Sequence, residues 1–237
     1  MNFIKLLPFI VIGFILSACA TSYESNTDDL PINLIPMYGY PNIEKTTAQK
    51  KADKTFIETV TKKSGSREKA SIEFAGEAWR NYKAGDYSTA MRRFNQSWLL
   101  NPENYFASWG FGSLLFDQGK TDEAIIHYDK ALSAIDNDEE KPRLLTDAAR
   151  AYSKKAFTEA DKLKSKEFFR KTNSLYKEAL TLDPYYDNAY RDWPRSLYLE
   201  GNYKKAWEVI KQSRTLGSRE ISRDFIDILS KKMPEPK

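Results

Sequence analysis

Few side chains in these 237 residues are equipped for chemistry, and their spacing narrows what they could do. His127 is the only histidine and stands between Ile126 and Tyr128. A zinc site needs several nitrogen or sulfur ligands, and a histidine-based triad would have to use His127, yet no serine lies in a nucleophile motif. A structural or surface role for His127 is expected. Asp136, Asp138, Glu139 and Glu140 could bind a cation or do acid–base work, but they stand just before Pro142, where negative charge favours the start of a helix. The run Gly110-Phe111-Gly112-Ser113-Leu114-Leu115 lacks the Lys and the Ser or Thr that complete a phosphate loop. Neither a metal nor a cofactor is expected, and an enzyme is disfavoured.

The lone cysteine, Cys19, allows no internal disulfide, so stability must come from helix packing. It closes an unusual stretch: a short basic start from Met1 to Lys5, then about thirteen mostly apolar residues from Leu6 to Ala18. That run is too short to span a bilayer and reads as a secretory signal. Leu16-Ser17-Ala18-Cys19 resembles a bacterial lipobox, which implies a signal peptide over 1–18 and a palmitate-bearing lipid anchor on Cys19. Ala20 carries no negative charge, which in such lipoproteins implies sorting to the outer membrane, facing the periplasm. Cleavage would remove Lys5 and reduce the formal charge from +4 to +3. Export and weak charge together disfavour nucleic acid as a partner.

The elements that must position any site are set by a period of 34. Gly85, Ala90, Phe94 and Ser97 recur 34 residues later as Gly119, Ala124, Tyr128 and Ala131, and again as Gly201, Ala206, Ile210 and Ser213. Stacked helical repeats explain such a period. The glycines end apolar-periodic runs, as residues tolerant of a left-handed conformation do. Asp86, Thr121 and Asn202 follow as expected caps, the alanines let paired helices approach, and Pro102 and Pro184 stand where second helices should stop. Apolar residues at 41%, aromatic at 14% and charged at 30% suit a helical protein with a continuous core.

These segments resemble the tetratricopeptide repeat (TPR), with approximate repeats at 71–104, 105–138, 142–186 and 187–220. The resemblance implies an all-α, right-handed α-α superhelix of about four helix pairs, the array covering 71–217, with flanking helices at both ends. Gly112 matches the small residue of the family's first helix. The family's first-helix Trp is replaced by Phe74, Ser108, Leu145 and Tyr190, Thr172 replaces an alanine, and Pro194 is expected to kink the last first helix. The third repeat is longer, since Tyr128 to Tyr176 and Ala131 to Ala179 are both steps of 48. Leu145, Ala148, Tyr152, Ala156, Ala160 and Leu163 keep helical spacing, which places the fourteen extra residues mostly as added turns on both helices.

Outside the repeats, residues 19–45 read as a tether rich in polar residues and proline. Its apolar group Leu30, Ile32, Leu34, Ile35, Met37, Tyr38 and Tyr40 either lies against the first helices or stays free. A flanking helix is expected over 47–63 within 46–70, with Ser66 capping the first repeat. In 218–237, Ser218 should cap a terminal helix carrying Ile221, Phe225, Ile228 and Leu229, a lid for the array.

The resemblance also implies a concave groove lined by first-helix residues. Here those are Trp79, Tyr82, Phe106, Trp109 and Phe116 at one end, and Arg143, Arg150, Lys154, Arg191, Arg195 and Tyr198 at the other. Large aromatics and arginines of this type anchor interfaces. A segment with apolar side chains followed by carboxylates, or a chain ending in a carboxylate, would suit both ends. The leading expectation is a non-catalytic, membrane-anchored adaptor that binds an envelope protein or peptide; the alternative is a cell-wall or polysaccharide binding module.

Overall fold

A computed structural model describes residues 30–217 and 221–237. The expected signal peptide, Cys19, Ser218 and the polar residues Arg219 and Glu220 lie outside the described residues. Those described form ten α-helices and no strand, an all-α helical solenoid. After α1 (Thr47–Ser64) come four hairpins: α2 (Arg67–Lys83) with α3 (Tyr87–Leu100), α4 (Tyr105–Asp117) with α5 (Thr121–Ala134), α6 (Lys141–Thr158) with α7 (Lys162–Leu182), and α8 (Asp187–Glu200) with α9 (Tyr203–Thr215). Helix α10 (Arg223–Lys232) closes the chain. Among the described residues no helix is long and apolar enough to cross a membrane.

Local chemistry explains most boundaries. Thr46 and Gln49 form a reciprocal capping box at α1, and the hydroxyl of Ser66 accepts from Lys69 N at α2. Asp86 and Asn202 cap α3 and α9 through Thr89 N and Lys205 N. Gly85, Gly119 and Gly201 all take the left-handed conformation, with φ of 81°, 79° and 83°. Two expected caps differ. Thr121 is the first helical residue of α5, after an uncapped Lys120. The last helix starts at Arg223, so Ile221 lies before it, buried in the preceding loop. Helix α8 runs through the buried Pro194 without interruption.

The core is continuous through the hairpins. Ala90, Ala124 and Ala206 are fully buried, and Phe94, Tyr128 and Ile210 fill the space one turn on. Helix α4 approaches its neighbours so closely that a Cβ on Gly110 would lie 2.1 Å from Phe94 Cζ, and one on Gly112 would lie 2.9 Å from Tyr128 Cδ1. A buried polar knot ties α2 and α3 to the cap of α4: Asn104 Nδ2 donates to Ser71 Oγ (2.8 Å) and Ser97 Oγ (3.2 Å), and Ser71 Oγ donates to Ser97 O (2.8 Å). Such groups are tolerated in a core when every partner is present.

Part of the tether is docked. Two short 3-10 turns, Ile32–Leu34 and Pro36–Gly39, pack on α3. The buried Asn95 fastens them, its Nδ2 donating to Asn33 O (3.1 Å) and Ile35 O (2.9 Å) while its Oδ1 accepts from Tyr38 N (3.2 Å).

Candidate functional site

The first helices α2, α4, α6 and α8 lie side by side, so their inward residues share one face. At the α2–α4 end, Trp79 and Trp109 meet edge to face with centroids 5.1 Å apart, and Phe106 stacks on Trp109 at 6.1 Å. Two of the five expected groove aromatics belong to the core. Trp109 is fully buried and Trp79 only 9% exposed, because the two indoles pack on each other, on Phe94 and Phe106, and beneath Arg143. The half-buried rings of Tyr82, Phe106 and Phe116 remain at the surface of this end. Tyr82 donates its hydroxyl to Asp117 Oδ2 at 2.7 Å, which ties α2 to α4. The buried indole N–H of Trp79 has no partner among the described residues.

The arginines begin where the indoles end. Arg143 lies over both rings, its guanidinium carbon 4.8 Å from the Trp109 centroid and 5.3 Å from that of Trp79. Trp109 Nε1 donates to Asp147 Oδ2 at 2.9 Å. Arg150 reaches toward two carboxylates without closing on either: its Nη1 is 3.7 Å from Asp147 Oδ1 and its Nε 3.9 Å from Asp192 Oδ2. Its guanidinium also stands over Phe116 at 5.7 Å. Arg191 donates twice to Asp192, at 2.9 and 3.2 Å.

This end of the face is therefore a mixed-charge network and not the simple basic surface expected. Asp147 and Asp192 were missed by sequence reasoning. A signal for them existed: counted from repeat starts at 71, 105, 142 and 187, the sixth residue is Gly76, Gly110, Asp147 and Asp192 in turn. Asp147 keeps 24% of its side chain exposed at the rim, yet the protein atoms around its carboxyl strip most water from it. That burial pushes its pKa up; the Trp109 N–H bond and the charges of Arg150 and Arg143 oppose the shift, while Asp192 adds to it.

The remaining expected groove residues lie elsewhere. Arg195 donates to Arg191 O (2.7 Å) and Ser222 Oγ (3.2 Å) and covers Phe225, and Tyr198 packs edge-on against the same ring. Both fasten α10 to α8. Lys154 is exposed near the end of α6. His127 is buried against Phe111, and burial, helped by the nearby Lys130, lowers its pKa to about 4, so it is neutral at ordinary pH. Among the described residues no cluster of His, Cys, Asp and Glu could hold a metal ion.

No protein-family model matches this sequence, and no curated protein matches it. Among solved structures, the chain is similar to a thermophilic TPR protein of Thermus thermophilus, with 18% identity over 62% of this chain and 74% of that one, and a TM-score of 0.53. At that identity the likeness establishes the fold, which is that of stacked tetratricopeptide-type hairpins.

Proposed function

We propose that this protein is a non-catalytic adaptor that binds a protein or peptide partner across the face of its first helices, tethered to a bacterial envelope membrane by a lipid on Cys19. The observation that carries the reading is the state of Arg150, Arg143 and Arg191. All three sit on rigid helices, each is at least partly exposed, and Arg150 stands 3.7 and 3.9 Å from its two carboxylates. Guanidinium groups held in place with unfilled hydrogen-bonding capacity lose little entropy when a partner's carboxylates or carbonyls arrive. Asp147 and Asp192 in turn offer acceptors for a partner's cations, so complementary charge would set orientation as well as attraction. The likeness to TPR hairpins supports an interaction role of this type, the lipobox-like Leu16-Ser17-Ala18-Cys19 supports a lipid anchor, and the uncharged Ala20 supports placement at the outer membrane, facing the periplasm. Glycan binding would draw on exposed aromatic rings, and the burial of Trp79 and Trp109 leaves that alternative less to work with.

The test is a crosslinking pull-down from envelope extract with residues 20–237, run beside an Arg143→Glu, Arg150→Glu, Arg191→Glu variant whose helicity matches by circular dichroism. Capture of a defined protein by the parent and its loss in the variant is the expected result; equal capture by both refutes the first-helix face as the site. The anchor has its own check, in which Cys19→Ser should abolish labelling by a palmitate analogue and release the protein from membranes.

A further inference from the structure

Most of the fourteen residues that lengthen the third repeat form an overhang. Aligning Leu145 with Ser108 matches the end of α4, Asp117, to Lys154, so residues 155–158 of α6 have no counterpart in α4. Aligning Tyr176 with Tyr128 matches the start of α5, Thr121, to Phe169, so residues 162–168 of α7 have none in α5. The turn at 159–161 is as long as that at 118–120, so these segments hold eleven of the fourteen added residues, and the other three lie before Leu145.

The overhang does not behave as core. Leu163, which keeps the apolar helical spacing of the sequence, is 74% exposed, the highest value for a large apolar side chain among the described residues, and Phe157 is 58% exposed. Around them charge is concentrated. Residues 154–171 hold seven Lys and Arg against three Asp and Glu, a formal +4 that equals the charge of the entire chain, so the rest is neutral. The acids are occupied locally: Asp161 caps α7 through Leu163 N and Lys164 N, Glu159 accepts from Asp161 N and lies 3.8 Å from Lys155, and Glu167 lies 3.7 Å from Arg170. Lys154, Lys162 and Lys166 have no ion pair among the described residues. On one flank Lys162, Lys166 and Arg170, with Ser165, Glu200 and the floor residue Phe169, line an open crevice of about 520 Å³.

We propose that this hairpin tip is a contact site for an anionic phospholipid surface. A helical tip carrying two exposed apolar side chains amid lysines matches the layering of a bilayer interface. Leu163 and Phe157 reach the acyl boundary while the lysine stems bring their ammonium groups to phosphate level. The crevice between Lys162, Lys166 and Arg170 takes a headgroup phosphate. Diffuse, flexible lysines suit a fluid field of negative charge better than the fixed geometry of an acidic peptide, for which bidentate arginines are better fitted. The site is independent of the lipid on Cys19 and of the first-helix face.

The experiment is co-sedimentation of residues 20–237, which retain the whole compact unit Pro31–Lys237, with phosphatidylcholine vesicles that contain or lack phosphatidylglycerol. Binding is expected only with phosphatidylglycerol and should weaken with salt. Each basic residue near such a surface contributes about fivefold, so Lys162→Glu with Lys166→Glu should reduce partitioning by at least about tenfold. Phe157→Ser with Leu163→Ser should reduce it too, while Lys204→Glu with Lys211→Glu on α9 should leave it unchanged. A Leu163→Trp variant should blue-shift its emission on adding the anionic vesicles. Lack of parent binding, equal loss in the α9 variant, or no blue shift would each overturn the proposal. No partner protein is present and Arg143, Arg150 and Arg191 are unaltered, so its failure is separate from failure of the adaptor reading.

Discussion

The first two repeats and the last two share a backbone plan and hold it by different means. In the first two the sixth position is glycine, with Phe94 seated against Gly110, and Trp79, Phe94, Trp109 and Phe111 close into an aromatic core. In the last two, the same position carries Asp147 and Asp192, and the face becomes a charge network that water can still reach. The sixth position thus marks where the face passes from aromatic core to charged surface.

The sharpest way to break that contrast is to truncate one residue on each side. Trp109→Ala should cost about 3–5 kcal/mol, since the ring is fully buried and its loss also strips Asp147 of its N–H donor. Arg150→Ala should cost less than about 1 kcal/mol, because its ion pairs are long and half exposed. Urea denaturation of both variants decides the matter, and equal costs would show that the two halves are not held differently.

Acid should weaken the first half through His127. Its folded pKa of about 4 lies below the ordinary 6.5, so as pH falls through that window the unfolded chain takes up the proton first and stability is lost. The loss should reach at most about 3 kcal/mol. Urea midpoints across this range for the parent and for His127→Phe should diverge as pH drops, and parallel curves would remove His127 from the account.

A smaller effect separates the two glycines. Gly110→Ala should cost about 1–3 kcal/mol, since the new Cβ would strike the Phe94 ring. Gly76→Ala, whose Cβ meets only Arg80 Nη1 at 3.7 Å, should be neutral or stabilise by up to about 1 kcal/mol through helix propensity. Thermal melts of the pair test whether close approach belongs to α4 specifically.

Much of the architecture was legible in the chain. The 34-residue period, the glycines after first helices, the caps Ser66, Asp86 and Asn202, and the added turns on both helices of the third repeat are local signals. Each is written within a few residues of where it acts. The site was less legible. Trp79 and Trp109 sit at positions that line the groove in the family this chain resembles, but their exposure depends on how closely α4 approaches α2 and α3. Asp147 and Asp192 share a repeat position, yet their meeting with Arg150 requires α6 and α8 to lie side by side. Leu163 continues an apolar period and still faces solvent, because its hairpin outgrows its neighbours.

What the sequence determined by itself is what backbone propensity and short-range capping control: the number of helices, their approximate ends and their pairing into hairpins. What only the tertiary structure decided is which faces are dry. Burial is a property of helices brought together from distant parts of the chain, and the separation between α2 and α4, or the overhang of α6 and α7, is not encoded at any single residue.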